Sequence, residues 1–134
     1  MKKDYRIVML VLTLAGVFAA CSIAKTFSSD PAKTRVENVL SGLTKDDMSN
    51  EYQTAICQWF DGSYTMSASD LESALNQFEA WQKKKGIKAP IGGYEIGKVE
   101  KESGGIPSWI VEVTIDGARH RIRVYNNEPL QWAD

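Results

Sequence analysis

The dipeptide Asp116-Gly117 constrains this chain more tightly than any other pair of residues in it. A two-residue link of this kind favours positive φ at both positions, the geometry of a type I′ turn, whose twist matches that of the two strands it joins. The flanking residues alternate as such a hairpin requires. With Ile115 facing Ala118, the register sets Trp109 opposite Val124, Val111 opposite Ile122 and Val113 opposite His120, all on one face. Ile110, Glu112 and Thr114 then meet Arg123, Arg121 and Arg119 on the other. The hairpin is therefore expected to have an apolar inner face and a polar outer one, with Glu112 and Arg121 as a cross-strand ion pair.

Hydrophobic spacing organises the rest. Asp30-Pro31 supplies an N-cap and a proline at the first helical position, and Val36, Val39, Leu40 and Leu43 follow at helical intervals. Gly42 is expected to end that helix. Met48, Tyr52, Ala55, Ile56, Trp59 and Phe60 form the stripe of a second helix, closed by Asp61-Gly62. Ser69 and Glu72 read as the capping box of a third, with Leu71, Ala74, Leu75, Phe78 and Trp81 on one face. Lys83, Lys84 and Lys85 favour the negative end of its dipole, and Gly86 closes it. After Pro90 the period becomes two. Gly93 to Lys101 reads as a strand and Ser103-Gly104-Gly105 as a turn leading into the hairpin, while Asn126-Asn127 with Pro129 turns into a short strand, Leu130-Gln131-Trp132. Residues 30–134 are thus expected to form an α+β soluble domain, three helices packed on a curved antiparallel sheet of three to four strands.

The amino-terminal region has a different character. Lys2, Lys3 and Arg6 precede the mostly apolar run Ile7 to Ala20, and Cys21 follows. A helix of that length spans roughly 21 Å, short of a hydrocarbon core of about 30 Å, so residues 1–20 read as a cleaved export signal. Phe18-Ala19-Ala20-Cys21 resembles the lipobox of bacterial lipoproteins, with Phe18 where Leu or Val is usual. The resemblance implies acylation of Cys21, cleavage before it and, because Ser22 rather than Asp follows, sorting to the outer membrane. Two or three acyl chains, at about 0.8 kcal/mol per buried methylene, hold a protein stably on a bilayer. Residues 21–29 then carry the lipid and the tether, whose segment Ser22 to Ser29 reaches at most about 28 Å. The alternative is an uncleaved anchor in the inner membrane, since no charged side chain occurs between Ile7 and Ala24. In either case the basic residues keep the amino end cytoplasmic.

With 43% apolar residues, 25% charged residues and a formal net charge of −1, the 134-residue chain is expected to hold one globular domain and not to bind a nucleic-acid backbone. Removal of residues 1–20 makes the side-chain charge about −3. Cys57 is then the one thiol left for the fold, expected as a small buried hydrophobe without a disulfide. No metal-ligand, phosphate-loop or nucleophile-elbow motif is present, and no cofactor or metal is expected.

The element order, the hairpin from Trp109 to Tyr125 and the closing Leu130-Gln131-Trp132 resemble the cystatin-like or NTF2-like α+β family. That resemblance implies a cavity between sheet and long helix, which in this family binds a small molecule, performs catalysis, mediates dimerisation or is filled. An unrelated three- or four-stranded sheet under the same helices also fits the pattern.

His120, the single histidine, sits on the predicted inner face, either as a general base or as a hydrogen-bonded residue at the core edge, and no acid has a spacing that marks it as a partner. Arg119, Arg121 and Arg123 form a strip for an anionic partner or a solvated face. Lys83, Lys84, Lys85 and Lys88 raise the same choice for lipid headgroups. Trp59, Trp81 and Trp109 fall on predicted core faces, leaving Trp132 as the candidate for an exposed contact. The reading that follows is a lipid-tethered envelope protein, not an enzyme, that binds another envelope protein. A small-ligand carrier or sensor with a cavity lined by Trp109, Val111, His120 and Phe78 is the alternative, and a His120-based enzyme comes last.

Overall fold

The computed structural model describes residues 31–134, so the export signal, Cys21, the tether and the Asp30 cap lie outside the described residues. Three helices, α1 (Pro31–Leu43), α2 (Asn50–Phe60) and α3 (Ala68–Lys83), precede four strands, β1 (Tyr94–Glu102), β2 (Ser108–Ile115), β3 (Ala118–Tyr125) and β4 (Gln131–Trp132). The strands form one antiparallel meander in the order β1-β2-β3-β4, which does not close into a barrel.

The hairpin follows its sequence register residue for residue, including Trp109 opposite Val124 and Val113 opposite His120. Asp116 and Gly117 have φ of 49° and 84°, the positive pair that the turn demands. Asp116 does more than turn the chain. Its Oδ1 accepts the Gly92 and Gly93 amides at 2.7 and 3.0 Å, which pins the entry of β1 to the hairpin tip. One face of the sheet is sealed by the helices: Val36, Val39, Leu40, Phe78, Val111 and Ile122 are fully excluded from solvent. Ile110 is buried as well, although it lies on the face expected to be polar. Its register neighbours are Glu100 and Arg123, whose long stems cover apolar surface while their charges stay in water.

The helix boundaries depart from the sequence expectations in three places, each for a local reason. Gly42 does not end α1, which continues through it to Leu43. Its missing side chain serves packing: a Cβ there would sit 2.4 Å from Ala55 Cβ and 2.6 Å from the Glu51 carbonyl oxygen, so α1 and α2 cross at this point. Met48 is 84% exposed and lies outside α2, because Ser49 caps the helix by accepting the Tyr52 amide at 3.1 Å. The cap of α3 is Ser67, whose hydroxyl accepts from the Asp70 amide, rather than Ser69 with Glu72. Both candidates are serines followed three residues later by an acid, and the chain uses the earlier one. At the other end of α3 Gly86 has φ of 69° and the Ile87 amide returns to the Gln82 carbonyl, closing the helix as expected.

Candidate functional site

The most engaged region of the surface is the edge where β4 meets α3. Trp132, expected to be an exposed contact, is half-buried. Its ring stacks on Trp81 at 4.1 Å between centroids and 6° between planes, and its Nε1 donates to the Trp81 carbonyl at 2.8 Å. Behind this stack Trp81 meets Phe78 and Trp59 at 5.8 and 6.0 Å, so an aromatic chain runs from the core to the sheet edge. Leu130 anchors the strand from below through its amide, which donates to the Trp59 carbonyl at 2.9 Å. Four tryptophans in one small domain are explained in part by this chain, which fastens a two-residue strand that backbone pairing alone would hold poorly.

Beside the chain lies a groove of about 700 Å³ between α3 and β4, floored by Trp81 and Trp132 and rimmed by Gln77, Lys84, Lys85, Gln131 and Asp134. The indole N–H groups of Trp59 and Trp81, both residues lining this groove, are buried without an acceptor among the described residues. Buried donors usually have one; Ser63 Oγ, away from the groove, is a third buried polar atom without a partner among the described residues.

His120 is on the inner side of the hairpin, as expected, with a side chain 12% exposed. Its Nδ1 lies 3.8 Å from Asp134 Oδ2 and its ring 5.3 Å from Trp132. The acid partner was not visible in the spacing, yet it is implicit in the register. Gln131 faces Arg123 and Trp132 faces Ile122, so extending the ladder by two residues sets Asp134 against His120. Asp134 is shared. Lys85 Nζ approaches its Oδ1 at 3.1 Å, closer than the imidazole, and also lies 5.9 Å over the Trp132 ring.

Burial alone would raise the Asp134 carboxyl, but the hydrogen bond and charge of Lys85, a backbone hydrogen bond and the charge of His120 outweigh it and hold the group below its ordinary value. The unfolded chain has no such partners, so this contribution is present above the ordinary carboxylate range and is lost as pH falls through the depressed folded value. Arg119 and Arg121 line a hollow together with the same carboxylate. Acid titration followed by tryptophan fluorescence should therefore show a step as the Lys85-Asp134 contact protonates, and Asp134→Asn should remove it; an unchanged profile in the variant would refute the assignment.

The arginines divide. Arg123 is paired, with Nε and Nη2 donating to the Glu102 carboxylate at 2.8 and 3.3 Å, and Ser108 Oγ adds a third donor. The Arg123 and Ser108 donors hold the Glu102 carboxyl below its ordinary value. Glu112 and Arg121 are in register as expected but make no ion pair among the described residues, whereas Arg123 pairs with Glu102, one strand further across. Arg119 and Arg121 are exposed and make no ion pair among the described residues. They border a shallow hollow of about 460 Å³ that crosses the sheet from Gly97 through Glu112 and Thr114 to His120 and Asp134. The four residues expected around one cavity do not gather: Val111 and Phe78 are core, His120 lines this hollow, and Trp109 lines a separate cleft beside Pro31 and Arg35.

Arg35 was missed in the sequence because it stands among apolar helix positions, where an arginine reads as surface. It is only 8% exposed. Its Nε donates to the Gln58 carbonyl at 2.5 Å, Nη1 to that of Tyr125 at 2.8 Å, and Nη2 to those of Trp59 at 2.9 Å and Glu128. The guanidinium thus fastens the carbonyl end of α2 to the turn before β4. Desolvation by burial lowers it to about 10, against the raising effect of Asp61, so it stays charged at neutral pH. Cys57 is buried in α2, and burial followed by the charge of Asp61 raises its thiol.

Among the described residues no cluster of three or more His, Cys, Asp or Glu is placed to hold a metal, and no helix is long and apolar enough to cross a membrane. No family model, no curated protein and no solved structure matches this chain.

Proposed function

We propose that the chain is an envelope lipoprotein, held on the bilayer through acylated Cys21, whose α+β domain binds another envelope protein. The observation that carries the protein-binding part is the groove beside β4, at the last strand, where an aromatic floor meets a rim of lysines and amides. The packing of Val111, Phe78 and Ile122 favours this reading over a carrier that uses the space between helices and sheet. The lipobox resemblance of Phe18-Ala19-Ala20-Cys21 supports the anchor, and Ser22 supports the outer membrane.

Two experiments test the two parts. Cys21→Ser should abolish metabolic acyl labelling and cleavage of the precursor; normal cleavage without acyl labelling in the wild type would overturn the lipid anchor. Photo-crosslinking in intact cells from Gln131 and Arg121, both exposed, should capture a protein from at least one position. Failure at both would overturn the binding reading. A second reading, capture of a small anion in the hollow between Glu112 and Asp134, is favoured by Arg119 and Arg121, which line it and make no ion pair among the described residues. It requires that Arg121→Ala abolish binding of the anion without affecting crosslinking from Gln131.

A further inference from the structure

We propose that the groove between α3 and β4 takes an extended acidic segment of the partner protein, which adds to the sheet as a fifth strand along β4. This rests on the protein-binding reading and specifies its mode. The first support is the backbone. Gln131 pairs with Arg123, and the Ala133 amide donates to the Arg121 carbonyl at 2.8 Å. Hydrogen-bonding residues alternate along an antiparallel ladder, so the N–H and C=O of Trp132 between them point away from β3, toward the open side of the sheet. They are a ready acceptor and donor for one more strand.

The two edges of the sheet differ in how they meet such a segment. β1 presents Glu95, Lys98, Glu100, Lys101 and Glu102 and carries an irregularity between Ile96 and Val99, both features that discourage edge pairing. β4 carries no charged side chain and has α3 standing beside it as the second wall of the groove. Because β4 is two residues long, backbone bonds alone would hold a segment weakly, and side-chain contacts must supply the rest. The walls provide for them: the Trp81 and Trp132 floor suits alternate apolar side chains.

Charge selects the partner. Lys84 is exposed at the rim and has no ion pair among the described residues, Lys85 is occupied by Asp134, and Lys83 and Lys88 line a separate cleft with Asp47 and Glu79. Among the described residues that line the groove, Lys84 is thus the one charge without an ion pair, so an acidic segment is favoured and a basic one repelled.

The test uses the full chain in detergent micelles and three probes: acetyl-Asp-Val-Asp-Phe-Asp-Val-amide, its lysine-for-aspartate counterpart, and the acidic peptide N-methylated at alternate residues. Tryptophan fluorescence should report binding of the acidic peptide. The methylated form should bind about tenfold more weakly, the equivalent of one lost hydrogen bond. The lysine form should bind still less, and Lys84→Glu, a surface change, should weaken the acidic peptide several-fold. Equal binding of the methylated and parent peptides, equal binding of the acidic and basic forms, or no binding of the acidic form would each overturn the proposal. Crosslinking in cells separates this failure from that of the broader reading: capture from Arg121 without capture from Gln131 leaves a protein-binding lipoprotein whose partner sits elsewhere, whereas capture from neither removes both.

Discussion

Arg35→Met should lower the stability of the domain by about 3–5 kcal/mol, a larger loss than a surface arginine would give. The side chain lies in the core layer of α1 but bonds only to main-chain carbonyls, those of Gln58, Trp59, Tyr125 and Glu128. Methionine fills much of the same volume and supplies no donor. Trp59 keeps one partner, the Leu130 amide, while the other three carbonyls lose the guanidinium. An unsatisfied buried acceptor costs about 1–3 kcal/mol. Against this stands the relief of burying a cation, whose size is signalled by the lowering of Arg35 to about 10. Multiple orphaned acceptors outweigh that relief, because the turn before β4 has few other ties to the end of α2. A melting temperature lower by roughly 15–25 °C is the expected reading by circular dichroism. A shift of only a few degrees would show that water replaces the guanidinium at little cost. Arg35→Lys should recover only part of the loss, since an ammonium cannot spread over carbonyls on both sides of the cleft.

The fate of Arg35 shows where sequence reading stops. Elements set by local chemistry were legible: Asp116-Gly117 determines its turn, the turn determines the register from Trp109 to Tyr125, and the period change after Pro90 separates helices from sheet. The packing face of α1 was legible from Val36, Val39, Leu40 and Leu43, but Arg35 beside them was not, because its acceptors come from residues up to 93 positions away. The candidate site divides in the same way. His120 was placed correctly on the inner side, while its approach to Asp134 depends on the short β4 ladder, and the seat of Trp132 depends on α3 lying across the sheet edge. Serine caps one turn apart, as at Ser67 and Ser69, are equivalent in pattern and are resolved only by where the rest of the chain places the helix start.

Gly42→Ala should reverse the usual sign of a glycine-to-alanine change within a helix. In an exposed helix the substitution stabilises by about 1 kcal/mol, through the backbone entropy removed from the unfolded chain. Here the new methyl group would stand 2.4 Å from Ala55 Cβ and 2.6 Å from the Glu51 carbonyl oxygen, contacts that the rigid backbone of α2 cannot relieve by rotating a side chain. The two helices must separate by about an ångström, and overpacking of this kind costs roughly 1–3 kcal/mol and occasionally more. The separation also acts at a distance along the same helix pair. Arg35 on α1 holds the Gln58 and Trp59 carbonyls on α2, so moving α1 lengthens bonds that were set by the original spacing. The net expectation is a loss of about 2–3 kcal/mol by urea unfolding. Its coupling to Arg35→Met is the sharper measurement: the double variant should lose less than the two single losses added, because bonds already strained by the first change are absent after the second. Strict additivity would mean that the helix crossing and the arginine clamp are independent, and that the close approach at Gly42 does not set the spacing on which the clamp depends.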